Sequence, residues 1–257
     1  TFNNNSKVLI MKSLITACVA ALALLSGPAQ ALDVEEFTAQ LANAAGRPDA
    51  DKARDLNRKP AWVTNFMGVE PGMTVADFLS AAGYYAEVFS HAVGRSGKIY
   101  LHNYPSALEG RGQRTADAIA DRLANSRLAN VEQLNRNFDD IGLPANSLDA
   151  AMLGLEMHEL TNTDDASLAP QFMSAVYGAL KPGGVLVIVE HAGNAENNNQ
   201  PLHRGIEALT VDIAEAAGFE LVASSALLRN PSDDRTKVVF DPTIRGRTDR
   251  FLLRFQK

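Results

Sequence analysis

Between Thr74 and Phe255, short apolar runs alternate with longer helix-patterned segments, and few folds can absorb that alternation. The runs are Thr74–Leu79, Lys98–His102, Ala129–Leu134, Leu148–Leu153 and Val185–Glu190. Helices are predicted between them at Tyr84–Val93, Gln113–Ala124 and Leu168–Leu180, the last closed by Lys181-Pro182-Gly183-Gly184. Strands joined through helices run parallel, because such a crossover returns the chain to the same end of the sheet. The helices then cover both faces, so a central strand is apolar throughout, and Val185–Glu190 (VLVIVE) has that character. Another helix is predicted over Leu202–Ala217, stopped by Gly218. Phe219–Ser224 and Arg250–Phe255 close the chain as strands. Ala226–Asp249 between them shows no helical pattern, which permits an antiparallel hairpin at the sheet edge.

The N-terminal part follows other rules. Lys12 precedes an uncharged apolar stretch, Leu14–Leu25, then the helix breakers Gly27 and Pro28, then Ala29-Gln30-Ala31. That order is a secretory signal peptide with an A-x-A cleavage site, too short to span a bilayer comfortably. Residues 1–31 are therefore expected to be upstream residues plus signal, with Thr1–Ile10 preceding the start at Met11. The only cysteine, Cys18, lies in the signal, so the remainder uses no disulfide and depends on its core. Residues 32–68 are predicted as a helical extension. Asp33 caps a helix carrying Val34, Phe37 and Leu41, a polar helix covers Lys52–Arg58, and Pro60 opens a third ending at Gly68. Residues 69–257 form the main domain. The expected location is exported, most plausibly periplasmic, with no stable membrane anchor after cleavage.

Charge narrows the partners. There are 24 Lys and Arg against 30 Asp and Glu, a net charge of −6. Nucleic-acid binding needs a basic face, so a small molecule is the expected partner and nucleic acid is not. In an open parallel sheet the ligand lies beyond the carboxyl ends of the strands, near the switch in strand order. The residues there are Asp77–Tyr85, His102-Asn103, Asn137–Asp140, Glu156–Glu159 and Glu190-His191.

With these segments in hand the chain resembles the class I S-adenosylmethionine-dependent methyltransferases, nearest an exported bacterial group known only as predicted methyltransferases. The resemblance runs from about Arg54 to the C-terminus. It is carried by PGMTVADFLSAAGYYAEVFSHAVGRSGKIYLHN, FDDIGLPANSLDAAM, LKPGGVLVIVEH, LHRGIEALTVDIAEAAGF and RTDRFLLRF. It implies a doubly wound, mainly parallel, seven-stranded Rossmann-like sheet with an antiparallel last strand, and S-adenosylmethionine as cofactor. It implies methyl transfer to a small-molecule acceptor. Asp77 takes the family's acidic position, and Leu79, Ala81 and Gly83 take its three glycine positions, so only Gly83 survives. Ala81 fits that turn if its φ is negative, whereas Leu79 crowds the cofactor unless the loop shifts. Asn103 stands where the family has a ribose-binding acid, and Asp139 matches the acid for the adenine amino group. Asp77, Ser80, Ala81, Gly83, Tyr84, Asn103 and Asp139 are thus the implied cofactor residues. Glu156, His158 and His191 fall on the acceptor side, with either histidine a candidate base.

Other readings stay open. His158, His191 and His203 with Glu156, Glu159 or Glu190 offer metal ligands, although no compact ligand spacing is present and no metal is expected. Tyr177 and Lys181 have the Y-x-x-x-K spacing of short-chain dehydrogenases, but Pro182 ends that helix and the glycine-rich nucleotide turn is missing. A methyltransferase fold retained as a non-catalytic exported binding module is the remaining alternative; it accounts for the lost glycines, Asn103 and an export signal that removes the chain from the cytoplasmic cofactor supply.

Overall fold

The computed structural model describes residues 32–257, so the expected signal peptide lies outside the described residues. Seven strands form one sheet: β1 Thr74–Phe78, β2 Lys98–Asn103, β3 Val131–Asn135, β4 Leu148–Gly154, β5 Leu180–His191, β6 Glu220–Ser225 and β7 Arg250–Gln256. Their order is β3-β2-β1-β4-β5-β7-β6. The β3–β5 side is parallel throughout, and β7 runs antiparallel to both neighbours. This is the doubly wound methyltransferase fold that the resemblance implied.

The apolar runs sort by the two-residue pleat of a strand. Val75, Ile99, Met152, Val187 and Leu252 face one cluster, and Ala76, Phe78, Ile188, Leu253 and Phe255 face another. The first face is covered by α1 (Val34–Asn43), α3 (Pro60–Met67), α4 (Tyr84–Val93) and α5 (Gln113–Leu123). The second is covered by α6 (Met157–Thr161), α7 (Leu168–Ala179) and α8 (Glu207–Ala216). Asp33 caps α1 by accepting from the backbone of Glu35 and Glu36 at 3.0 Å. The remaining helix, α2 (Asp49–Arg58), buries only Asp51 and has no apolar stripe, so charges rather than a hydrophobic face hold it.

Two boundaries differ from expectation. The helix predicted from Leu202 begins at Glu207, because Arg204 is drawn fully into the interior. There its guanidinium meets Asp233 and the carbonyl of Ala192. Strand pairing also resumes before Lys181-Pro182-Gly183-Gly184. Leu148 pairs with Leu180 and Ala150 with Val185, so that tetrapeptide bulges out of the ladder. Among the described residues no helix is long and apolar enough to cross a membrane.

Candidate functional site

Strand order reverses between β1 and β4, and a crevice of about 130 Å³ opens there. The loop after β1 forms its floor. Leu79, Ala81 and Gly83 all adopt left-handed backbone, with φ of 51°, 47° and 80°. The φ of Ala81 is positive, so the condition under which an alanine fits the family's turn is not met, and both Leu79 and Ala81 carry a backbone that favours glycine. At Gly83 a side chain would also crowd its neighbours, because a Cβ there meets Leu101 Cδ1 at 2.6 Å. The positive φ at Leu79 turns its isobutyl group away from the pleat direction. It packs beside Phe78 in the cluster under α7 and is 5% exposed. It borders the crevice without filling it.

Hydrogen bonds within the chain fix this loop. Asp77 Oδ2 accepts from Ser80 Oγ at 2.6 Å and from Ala86 N at 2.8 Å, tying the strand end to the start of α4. Burial pushes the Asp77 carboxyl up to about 6 despite those donors. Asn103, also buried, donates from Nδ2 to the Ala81 carbonyl at 3.0 Å, a bond that an aspartate could not make. Arg122 donates to the Ala82 carbonyl at 2.7 Å, to Asp51 of α2 at 2.7 Å and to Glu87 of α4. Tyr84 Oη donates to Asp55 Oδ1 at 2.6 Å, and the same carboxylate receives both terminal nitrogens of Arg47. Asp139 is exposed in the loop after β3 and does not line the crevice; the turn there is closed by Asp140, which accepts from Gly142 N.

Around β4 and β5 the three acceptor-side residues stand in three different states. Glu156, half-buried at the crevice wall, has no hydrogen-bond partner among the described residues. Burial and then the nearby carboxylates of Glu190 and Glu159 push it up to about 8. His158 loses some basicity to burial. It lies between Glu190 (3.0 Å from Nδ1) and Glu159 (3.1 Å from Nε2), and these carboxylates raise it to about 10. A group so held has no lone pair to take a proton at neutral pH. Glu190 is fully buried and also accepts from the backbone of His158 and His191. His191 is the opposite case: burial and then the cations Arg250, His158, Arg204 and Arg58 hold it well below the usual histidine range. Its Nδ1 pairs with Thr248 Oγ1 at 2.6 Å, which leaves Nε2 for the adjoining space.

That space is a pocket of about 390 Å³, within the range of roughly 300–1,000 Å³ typical of small-molecule sites. Its walls are α2, His191, Leu155 and the 239–250 segment, and Arg54, Arg58 and Leu155 belong to both it and the crevice. A larger concavity of about 880 Å³ opens at the other edge, where β2 and β3 begin, away from the strand ends that host ligands in this architecture. Of the possible metal ligands, His158, Glu159 and His203 bring donor atoms within 4.8 Å, with Glu159 Oε1 at 3.1 Å from each ring. His191 is directed to Thr248 instead.

A sequence model of the ubiE/COQ5 methyltransferase family matches residues 52–225, from α2 through β6. The chain belongs to the ubiE/COQ5 methyltransferase family. It therefore lies within the class I S-adenosylmethionine-dependent methyltransferases that its sequence resembles. Similar to it is the ubiquinone/menaquinone biosynthesis C-methyltransferase UbiE of Escherichia coli O1:K1, 27% identical over 160 residues, which cover 62% of this chain and 57% of that protein. The chain thus spans little more than half the length of the curated relatives it matches. A SAM-dependent methyltransferase from Aquifex aeolicus shares the fold at a TM-score of 0.60 and 20% identity, covering 87% of this chain and 98% of that one. The [4+2]-cyclase SpnF shares it at 0.57 and 18% identity, covering 84% and 83%. The ubiE/COQ5 fold alone therefore does not fix the reaction.

The resemblance to class I methyltransferases pointed to the loop after β1 but not to Arg54, Arg58, Arg122, Thr248 or Arg250. The one signal in the sequence is the spacing of Arg54 and Arg58, four apart on a polar helix and so on one face.

Proposed function

We propose that this chain transfers a methyl group from S-adenosylmethionine to a small-molecule acceptor held in the 390 Å³ pocket. The observation that carries this reading is that the crevice at the β1/β4 switch point and the pocket beside His191 share Arg54, Arg58 and Leu155 as walls. The crevice is floored by the family's cofactor loop, and the pocket faces a neutral histidine. The withdrawal of the Leu79 side chain into the core leaves the crevice free of it and supports the reading. The 130 Å³ of free space is smaller than a nucleoside site needs, and the helix α2 contributes Arg54 and Arg58 to the wall that limits it. Entry therefore requires α2 to move aside, which gives the N-terminal helices the role of a lid.

In this reading Asp77 and Asn103 hold the loop, and Asn103 keeps its carbonyl oxygen for a ribose hydroxyl. The bound cofactor supplies a methyl group on a positively charged sulfur. His191 presents unprotonated Nε2 to the acceptor and takes the proton that the acceptor loses. Glu156, neutral at pH 7, donates a hydrogen bond into the crevice. His158 and Glu190 position the turn at α6. Calorimetry with S-adenosylmethionine and S-adenosylhomocysteine tests the reading: saturable binding of both is expected, and no binding of either removes it. The narrowness of the crevice favours a second reading in that event, a binding module on a methyltransferase fold. Export is part of the proposal too; a secreted product whose mass begins at Leu32 is expected, and retention of Met11 in that product removes it.

A further inference from the structure

We propose that the pocket beside His191 is an anion site, so that the acceptor is a small organic acid with an apolar body. This rests on the methyl-transfer reading only in calling the occupant an acceptor. Although the chain is acidic overall, no aspartate or glutamate lines this pocket, while Arg54, Arg58, Arg245 and Arg250 do.

The state of these arginines makes the argument. Arg250 pairs with His191 across the β5–β7 ladder and is 6% exposed. One terminal nitrogen donates to the Asn57 carbonyl at 2.6 Å, and its buried Nε has no partner. The nearest carboxylate in sequence, Asp249, is engaged by Arg229, by Arg235 and by the backbone of Asn230. Arg58 forms no hydrogen bond or ion pair among the described residues; its guanidinium lies 4.5 Å from the Tyr84 ring centre and 5.7 Å from that of Tyr85. Arg54 alone has an acid, Asp51. Arginine is the side chain suited to binding carboxylate or phosphate through two parallel donors, and burying one without an anion is costly. Asp55, the acid nearest in sequence to Arg58, is committed to Arg47 and Tyr84.

The rest of the wall defines what the anion is attached to. Leu155, Val239 and the exposed ring of Phe240 add apolar lining to the same pocket as the cations. A molecule with a charged end and a hydrocarbon or aromatic body meets both. His191 then lies against the charged end or next to it, within reach of a hydroxyl or amine on the same molecule.

Titration of the intact protein with benzoate, phenyl phosphate and uncharged benzamide tests this. Both anions are expected to bind about tenfold or more tightly than benzamide, since one charged hydrogen-bond pair is worth roughly that factor. Preference between benzoate and phenyl phosphate tells which acid group the site was built for. Arg58→Gln is expected to weaken anion binding about tenfold and Arg58→Lys less. Arg245→Gln on the exposed rim is expected to change it only a few-fold. Arg250→Gln adds a second test if its thermal midpoint shows that it folds; Arg58→Gln carries the test if it does not. Equal binding of benzoate and benzamide, absence of saturable binding of either anion, or anion binding indifferent to Arg58→Gln overturns the assignment. S-adenosylhomocysteine titrated into the same sample reads the methyl-transfer proposal separately. Anion binding without it leaves the pocket and removes the cofactor, and the converse removes the pocket.

Discussion

The two halves of the carboxyl edge are finished differently. On the β1–β2 side most of the polar groups at the family's cofactor loop already have a partner inside the chain. Asp77 is taken by Ser80 and Ala86, the Asn103 amide by Ala81, and Tyr84 by Asp55. Around the pocket beside β5 and β7 some groups are left without a partner: Nε of Arg250, the second nitrogen of His191, and the guanidinium of Arg58 reaching in from α2. The family motif thus marks the half that is closed on itself, and the open chemistry lies beside it. A motif tells where a ligand sits in relatives; unpaired buried groups tell where this chain still has something to bind.

The sharpest way to break this contrast is to open the closed half. Arg122→Met leaves Glu87 and Asp51 buried with fewer cations and frees the Ala82 carbonyl, and it is expected to lower stability by roughly 3–5 kcal/mol in denaturant unfolding. Leu79→Gly comes next. It relieves the left-handed backbone but removes a packed leucine, so a net loss of about 1–3 kcal/mol is expected. A gain in stability shows instead that Leu79 packs little.

Glu156 stands between the halves and sharpens the comparison through pH. Its folded value of about 8 lies above the ordinary carboxyl value of 4.5, so the folded state binds the extra proton and stability falls as pH rises from about 4.5 to 8. Glu156→Gln is expected to be neutral near pH 4.5 and stabilising by roughly 1–2 kcal/mol near pH 8.5, read from thermal midpoints. His158 adds a second slope of the same sign. Its raised folded value gives stability that is complete below about 6.5 and lost as pH climbs toward 10, and His158→Gln is expected to flatten that decline. The smallest effect belongs to Ala81→Gly. The residue is exposed with φ of 47°, so the substitution is expected to stabilise by about 1 kcal/mol.

The parallel sheet was legible because β5 is apolar on both faces and the earlier strands alternate with helices that have clear stops. The loop was legible in place but not in shape. Leucine and alanine both disfavour left-handed backbone, and nothing local says that Asn103 and Arg122 hold the carbonyls of Ala81 and Ala82 from afar. His158 had the residue type of a base, yet its state is decided by Glu190, thirty-two residues later. Arg54 and Arg58 lay in a helix without an apolar stripe, whose purpose appears only once Asp51 is seen against Arg122.

That Arg54, Arg58 and Leu155 border both cavities has a thermodynamic corollary. Whatever displaces α2 to enter one space reshapes the wall of the other, so the two occupants must alter each other's affinity by one common factor. Order of addition then affects rates but not the final complex, and a measured dissociation constant for either molecule has meaning only alongside the concentration of its neighbour.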